Sequence, residues 1–339
     1  MTIGKTHDDS AMIDRTSRWA IATIALATAA GTGLRFVGLS AHEFWYDESC
    51  TYLYVRDLFD WPAGWANLLR ESTNLPYYVL LRGWATIFGH SEAAYRAFSA
   101  LAAALTVPLL GAAAARLAGR RGGVIAAVLA AAHPLHVYYA HEARAYALWV
   151  LLLTGAAWAL IRAVQRMTAR SWSLYGVLLL AALPTHYFSL YWAPATLAAV
   201  TLAQDRRRAV RFWAVTHVVV GLCFLPYFFA AVLPAGLGGG NRWLVEAWEP
   251  LAAIPNTLWA MLPAGRYPPH LTGLSASGSD AATSWPELAA LAGAGALILV
   301  AAGRCARALT AVGAARDATR ERRRSVARGT AAAAGGAGT

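Results

Sequence analysis

The chain has 339 residues, 58% of them hydrophobic and only 14% charged, with a formal net charge of +11. Soluble domains average roughly 25% charged residues, and the mean hydropathy here is +0.42. These values exclude a disordered chain, a disulfide-built secreted module and an ordinary cytosolic enzyme. Cys50, Cys223 and Cys305 are far apart and imply neither a disulfide framework nor a thiolate metal site. The basic excess is segregated by loop, which is a mark of membrane topology rather than of a nucleic-acid surface.

A bilayer core of about 30 Å needs about 20 helical residues. In chain order the apolar runs predict spans at Trp19–Leu39, Ala94–Gly119, Gly123–Tyr139, Ala143–Val164, Trp172–Pro184, Phe188–Ala203, Arg211–Val232 and Pro286–Ala302. The first is long for a cleaved signal peptide and reads as a retained anchor. The fifth is short, so Trp172–Ala203 reads as a tight helical hairpin.

One further run, Asn74–Phe88, decides the parity of everything after it. If it crossed the membrane, the basic loops Arg116–Arg121 and Arg206–Arg211 would lie outside. If it does not, they fall inside with Lys5, Arg15, Arg18, the loop Arg162–Arg170 and the tail after Arg304. The run is short and carries Arg82 in its middle, so it reads as an amphipathic helix at the outer interface. The expected protein is all-α and integral to the membrane, with about eight spans and both termini cytoplasmic. It divides into a cytoplasmic segment 1–18, a polytopic domain 19–303 and a basic, low-complexity cytoplasmic tail 304–339. The two large outer loops are 40–93, with interfacial helices, and 234–285. The tail is expected to be disordered and to touch anionic headgroups. In the second outer loop Trp243, Trp248, Tyr267 and Trp285 read as interfacial anchors first and sugar-stacking rings second.

Three outer segments hold polar residues that packing does not call for. The first, His42-Glu43-Phe44-Trp45-Tyr46-Asp47-Glu48-Ser49, follows the first span. On a helix Asp47 and Glu48 point about 100° apart and need different partners, so one can act as a general base while the other orients it. Acids at a helix N-terminus also complement its dipole. The second, His133 to Tyr146, holds three His, one Glu, one Arg and three Tyr in addition to apolar residues. Such polarity at membrane depth marks function. Its His residues and Glu142 invite a zinc reading, but the spacing is no ligand pattern. No metal or other cofactor is therefore assigned, and a divalent ion held by Asp47, His141 and Glu142 stays open. Arg144 suits a phosphate, or an ion pair with a neighbouring acid. The third segment is Pro184-Thr185-His186-Tyr187-Phe188. Arg82 and Arg96 complete the set, Arg96 with snorkelling as its simpler reading.

At these residues the chain resembles the GT-C superfamily of membrane glycosyltransferases, in the bacterial branch related to protein O-mannosyltransferases and the lipid A aminoarabinose transferase. The resemblance lies in Phe44-Trp45-Tyr46-Asp47-Glu48, Leu75-Pro76-Tyr77-Tyr78-Val79-Leu80-Leu81-Arg82, Phe88 to Arg96, Tyr138 to Tyr146, and His186-Tyr187-Phe188. It implies an inverting transfer of a sugar, mannose or another hexose or pentose, from a polyprenyl-phosphate donor. The acceptor would be a glycan, lipid or protein outside the cytoplasmic membrane, with membrane lipid as surroundings and no nucleic acid as partner. It also implies Asp47 as the catalytic carboxylate, Glu48 in support, and donor phosphate or sugar contacts from Arg82, Arg96, His141, Glu142, Arg144, Tyr146, His186 and Tyr187. The chain departs from its relatives in Asn74-Leu75-Pro76, in His141-Glu142-Ala143-Arg144, and in a short C-terminal half. That shortness keeps a rival reading, a non-catalytic or partner-dependent subunit of cell-envelope glycan assembly. A transporter or flippase fits less well, because the ionisable residues gather at one face instead of the midplane.

Overall fold

The structure, a computed structural model, describes residues 5–60, 62, 64 and 74–234. The expected span Pro286–Ala302, the loop 234–285 with its tryptophans (Pro at 234 excepted) and the tail 304–339 lie outside the described residues. Every regular element among the described residues is helical. The helices are α1 (Lys5–Phe36), α2 (Tyr46–Arg56), α3 (Leu75–Phe88), α4 (Glu92–Ala132), α5 (Pro134–Tyr138), α6 (Tyr146–Arg166), α7 (Ala169–Thr185), α8 (Trp192–Thr201) and α9 (Arg206–Tyr227). Short 3-10 turns occupy Tyr139–His141 and Tyr187–Tyr191, and a π turn, Phe228–Val232, prolongs α9.

Among the described residues four stretches are long and apolar enough to cross a bilayer: Arg18–Phe36, Glu92–Ala132, Tyr146–Arg166 and Arg206–Val232. The second is not one rod. Gly119 has φ 71° and ψ −178°, a combination open essentially to glycine alone, and the chain reverses there. Beyond it the arm 120–132 returns along the arm 92–118. Built on Gly123, a Cβ would sit 2.8 Å from both the Ala115 Cβ and the Gly111 carbonyl oxygen. Small residues let the two backbones touch, which is how helices associate where lipid offers no hydrophobic drive. α1 lies against the same hairpin, with Gly31 facing Ala131 and Ile24 facing Gly111. Thr23, Thr28 and Thr32 of α1 return their hydroxyls to carbonyls one turn back, so no bare polar group faces hydrocarbon.

Several expected boundaries move. The span expected at Gly123–Tyr139 breaks at His133, because the residue before Pro134 is held extended (φ −67°, ψ 118°). The expected span Phe188–Ala203 opens as a 3-10 turn, and its α-helix has 10 residues, about half a bilayer crossing. The run Arg206–Arg208, expected in a loop, is the first turn of α9, because Asp205 caps that turn by accepting from the Arg208 N–H. The count of eight spans is not reached within the described residues. α3 forms over the expected stretch, bounded by Asn74 and by Gly89 at φ 88°. Its 14 residues reach only about 21 Å.

Three helices of the second half pack through small residues and aromatic rings. Ala156, Ala159 and Ala163 of α6 are buried in one cluster with Trp172, Tyr175 and Leu179 of α7 and Val220 and Phe224 of α9. Gly176 of α7 meets Thr216 and Val220. The hairpin of α4 gives the first prediction. Gly123→Ala overpacks the arms and lowers the thermal midpoint of the detergent-purified protein, at a cost of about 1–3 kcal/mol. Gly33→Ala, whose Cβ meets nothing within 4 Å, leaves the midpoint unchanged or raises it.

Candidate active site

The site begins at the N-terminus of α2, where the adjacent carboxylates take opposite roles. Glu48 is 1% exposed and Asp47 35% by side chain. Glu48 meets Arg96, at the start of α4, in a two-pronged pair: Nε to Oε1 at 2.9 Å and Nη2 to Oε2 at 2.6 Å. Oε1 also accepts from the Ala143 N–H at 2.7 Å, and Oε2 from the Trp45 N–H at 3.4 Å. All four acceptor positions of a carboxylate are thereby filled.

Arg96 is equally committed. Its other contacts run from Nη1 to the Leu39 and His42 carbonyls and from Nη2 to the Glu43 carbonyl. With the two bonds to Glu48 these use all five guanidinium donors. Arg96, expected to contact the donor, thus holds the first loop instead. Glu48 likewise lies in this clasp, with no oxygen turned to an open surface.

Asp47 stands on the other side of α2. Arg144 approaches it with Nη2 at 3.8 Å from Oδ2, and reaches the Asp47 carbonyl (3.5 Å) and the Thr51 hydroxyl (3.4 Å) with Nη1. These are long contacts beside the tight Glu48–Arg96 pair. Arg144 itself is 14% exposed and is placed from behind: its carbonyl accepts from the Ser99 hydroxyl, which also pairs with the Tyr77 hydroxyl at 3.0 Å. Its charge acts on Glu142, Tyr146 and His186, so it is the electrostatic centre of the site.

Glu142 is buried and hydrogen-bonded to the Tyr138 side chain. Burial pushes its carboxyl up to about 7; Tyr138 and Arg144 oppose that rise, and the charges of Glu48 and Asp47 add to it. His186 stacks on Trp149 (ring centroids 4.5 Å apart) and on Tyr187 (5.2 Å), with Tyr146 at 5.8 Å. Burial, reinforced by the Arg144 charge, pushes its pKa down to about 4, so it is a neutral ring at pH 7. Its Nδ1 accepts from the Phe188 N–H, which leaves the ring proton on Nε2.

The remaining expected residues fall elsewhere. His141 turns Nε2 toward the Leu34 carbonyl at the end of α1, at 3.2 Å. Arg82 acts on Asp57, the residue that closes α2, roughly 15 Å along the helix from Asp47. Among the described residues no group of three His, Cys, Asp or Glu side chains could hold a metal ion, so Asp47, His141 and Glu142 do not form one.

Three side chains of the site were not singled out by sequence. Tyr138 pairs with Glu142, and Tyr77 with Ser99 sets the Arg144 backbone. Trp149 supports His186 and donates to the Ser189 hydroxyl at 2.8 Å. Its position three residues after Tyr146, on the same helix face, was the available signal. Arg35 was also passed over. It is fully buried in α1 and donates to the Gly31, Ala130 and Ala131 carbonyls and to His136 Nδ1, closing the end of the arm 120–132.

Residues 75–232 match the family model of the dolichyl-phosphate-mannose-protein mannosyltransferases. Over this stretch the chain is similar to that family, whose members are GT-C membrane glycosyltransferases. No curated protein and no solved structure matches the chain. The matched stretch takes in Arg82, Arg96, Glu142, Arg144, Tyr146, His186 and Tyr187. Asp47 and Glu48 precede it and join it through the contacts to Arg96, Ala143 and Arg144.

Two predictions follow from the geometry. Glu48→Gln leaves the Arg96 charge buried and unbalanced and costs about 3–5 kcal/mol, whereas Asp47→Asn changes stability little; thermal unfolding at matched detergent separates them. Glu142 has a folded-state pKa above its ordinary value of 4.5, so the folded state binds the extra proton between about pH 4.5 and 7. Stability from this group therefore falls as pH rises through that window, and Glu142→Gln flattens that part of the pH–stability curve.

Proposed function

We propose that this glycosyltransferase moves a sugar, with inversion, from a polyprenyl-phosphate carrier to an acceptor hydroxyl on the outer side of the cytoplasmic membrane. The observation that carries the reading is the Asp47–Arg144 pair: a half-exposed carboxylate and a nearly buried guanidinium side by side, 3.8 Å apart, within a chain similar to the mannosyltransferase family. Asp47 is the base. The acceptor oxygen attacks the anomeric carbon as its proton passes to the Asp47 carboxylate. The bond from that carbon to the phosphate oxygen breaks, and its electron pair leaves with the polyprenyl phosphate.

A phosphate leaving group is already a weak base and needs charge stabilisation rather than a proton. Arg144 supplies that charge, and its fork suits phosphate oxygens. His186, neutral with its proton on Nε2, contributes a hydrogen bond rather than a second charge. Glu142 lies behind Arg144 and tunes the charge that Arg144 presents. The parity of the basic segments supports Asp47, the 139–146 turn and His186 on the outer side, with the arginine-rich turns 116–121 and 162–170 inside. The activity for which the matched family is named favours mannose on the carrier and a protein as acceptor.

The test is transfer from radiolabelled polyprenyl-phosphate mannose in membranes, comparing wild type with Asp47→Asn at equal amounts of folded protein. The variant is expected to lose about 10²- to 10⁴-fold in rate, and Arg144→Gln to lose activity while leaving the fold intact. Equal transfer by wild type and Asp47→Asn would overturn the assignment of the base. No transfer by folded wild type with any polyprenyl-phosphate sugar would overturn the reaction.

A further inference from the structure

At the end of the bundle opposite Asp47, arginines from two helices converge on one indole. Arg116, one turn before the reversal at Gly119, lies 5.3 Å from the centre of the Trp158 ring, and Arg162, one turn after Trp158 on α6, lies 5.4 Å from it. Gln165 fixes Arg116 by accepting from its Nη1 at 3.1 Å. Arg166 continues the row Trp158–Arg162–Arg166 at four-residue spacing, and Arg170 enters from the first turn of α7. The positive charges of Arg166, Arg116 and Arg170 all act on Arg162.

Like charges at this spacing repel and destabilise the helix that carries them. Nothing nearby in sequence offsets them, since Glu142, at the other end of the bundle, is the only acid between Glu92 and Asp205. Asp205 caps α9, and no described carboxylate is ion-paired with any of the four arginines. Snorkelling accounts for single arginines at a membrane edge. It does not account for two guanidinium groups held on one ring with two more beside them.

The surface next to the cluster is apolar. Leu174 and Val177 follow Arg170 at four and seven residues on the same face of α7, 39% and 64% exposed. A ligand that satisfies both parts has closely spaced anionic oxygens for the arginine forks and hydrocarbon to lie along α7.

We propose that Arg116, Arg162, Arg166 and Arg170 form a binding site for the headgroup of a phospholipid carrying two phosphodiesters, with Trp158 as its floor and an acyl chain along Leu174 and Val177. The site is separate from the transfer chemistry and does not depend on it. The two phosphates bridge the arginines of α4, α6 and α7 and relieve their repulsion, so the lipid ties these three helices together.

The experiment is native mass spectrometry of the full chain released from nanodiscs, with thermal unfolding as a second readout. The lipid probes are diphosphatidylglycerol and phosphatidylglycerol in a phosphatidylcholine background, and inorganic phosphate is the soluble competitor. Wild type is expected to retain diphosphatidylglycerol in preference to phosphatidylglycerol and to gain thermal stability with it. Arg162→Gln with Arg166→Gln is expected to lower that retention by about 30-fold, from roughly one kcal/mol for each arginine removed. Arg206→Gln with Arg207→Gln, which removes the same charge from the start of α9, is expected to leave it unchanged. Equal loss in both double variants would overturn the site in favour of general charge attraction. Equal retention of the two lipids would overturn the two-phosphate headgroup, and displacement by millimolar inorganic phosphate would overturn the lipid in favour of a free anion. If the site variant fails to fold, Arg162→Lys with Arg166→Lys keeps the charge and removes the fork; unchanged selectivity there would also overturn the proposal.

Discussion

The pair formed by Glu48 and Arg96 holds this site in one piece. Through it the residues after α1, the first turn of α2, the start of α4 and the turn before α6 meet at a single knot of carboxylate and guanidinium. Burying two charges is costly, and the mutual attraction repays it only when every remaining donor and acceptor is also satisfied. Here each is. Such a pair adds little net stability over a well-packed apolar substitute, and what it contributes is position. Two of the linked segments, the residues after α1 and the turn before α6, have no regular structure of their own, and the knot is the tightest of the contacts that fix how α2 faces the 139–146 turn.

That fixed orientation separates the duties of two neighbouring acids. Helical geometry turns Asp47 and Glu48 about 100° apart. Once Glu48 is anchored inward, Asp47 has to face the opening shared with Arg144. The buried carboxylate thus aims the exposed one, and the same reach of main chain that brings Ala143 to Glu48 delivers Arg144, one residue later, to Asp47. The loose Asp47–Arg144 contact suits the proposed reaction, in which a phosphate would enter between or beside these groups. A pair as tight as Glu48–Arg96 would have to be broken first.

Much of this was legible in the sequence. Pro76, Gly89 and Ser91 bracket α3 and start α4, and adjacent acids after an apolar run mark the site by their type alone. Glycines and arginines at 119–123 mark a reversal, which the structure makes at Gly119. Less legible was which acid would be buried. That is settled by Arg96, 48 residues away, and an arginine at the start of a span looks the same whether it snorkels or folds inward. Trp149 beneath His186 is hidden for the same reason, being one aromatic residue among many in an apolar helix. The break at His133 was written in Pro134 but masked by the hydrophobic run around it. Local rules give the elements, and contacts between distant residues select among the roles each polar side chain could take.

Arg35 bears on how the chain is made. Its guanidinium closes the carbonyls of Ala130 and Ala131, partners 95 and 96 residues further along. During synthesis α1 must therefore wait in or near the bilayer with a charge that has no lasting counterpart until the second arm of α4 arrives. The arm has the converse need, since its last carbonyls, at Ala130 and Ala131, accept from Arg35. The stretch Arg18–Phe36 is long and apolar enough to cross alone, but its Arg35 finds these carbonyl partners only once the arm is in place. The packing of the first helix is thus completed only after residue 131 has been made.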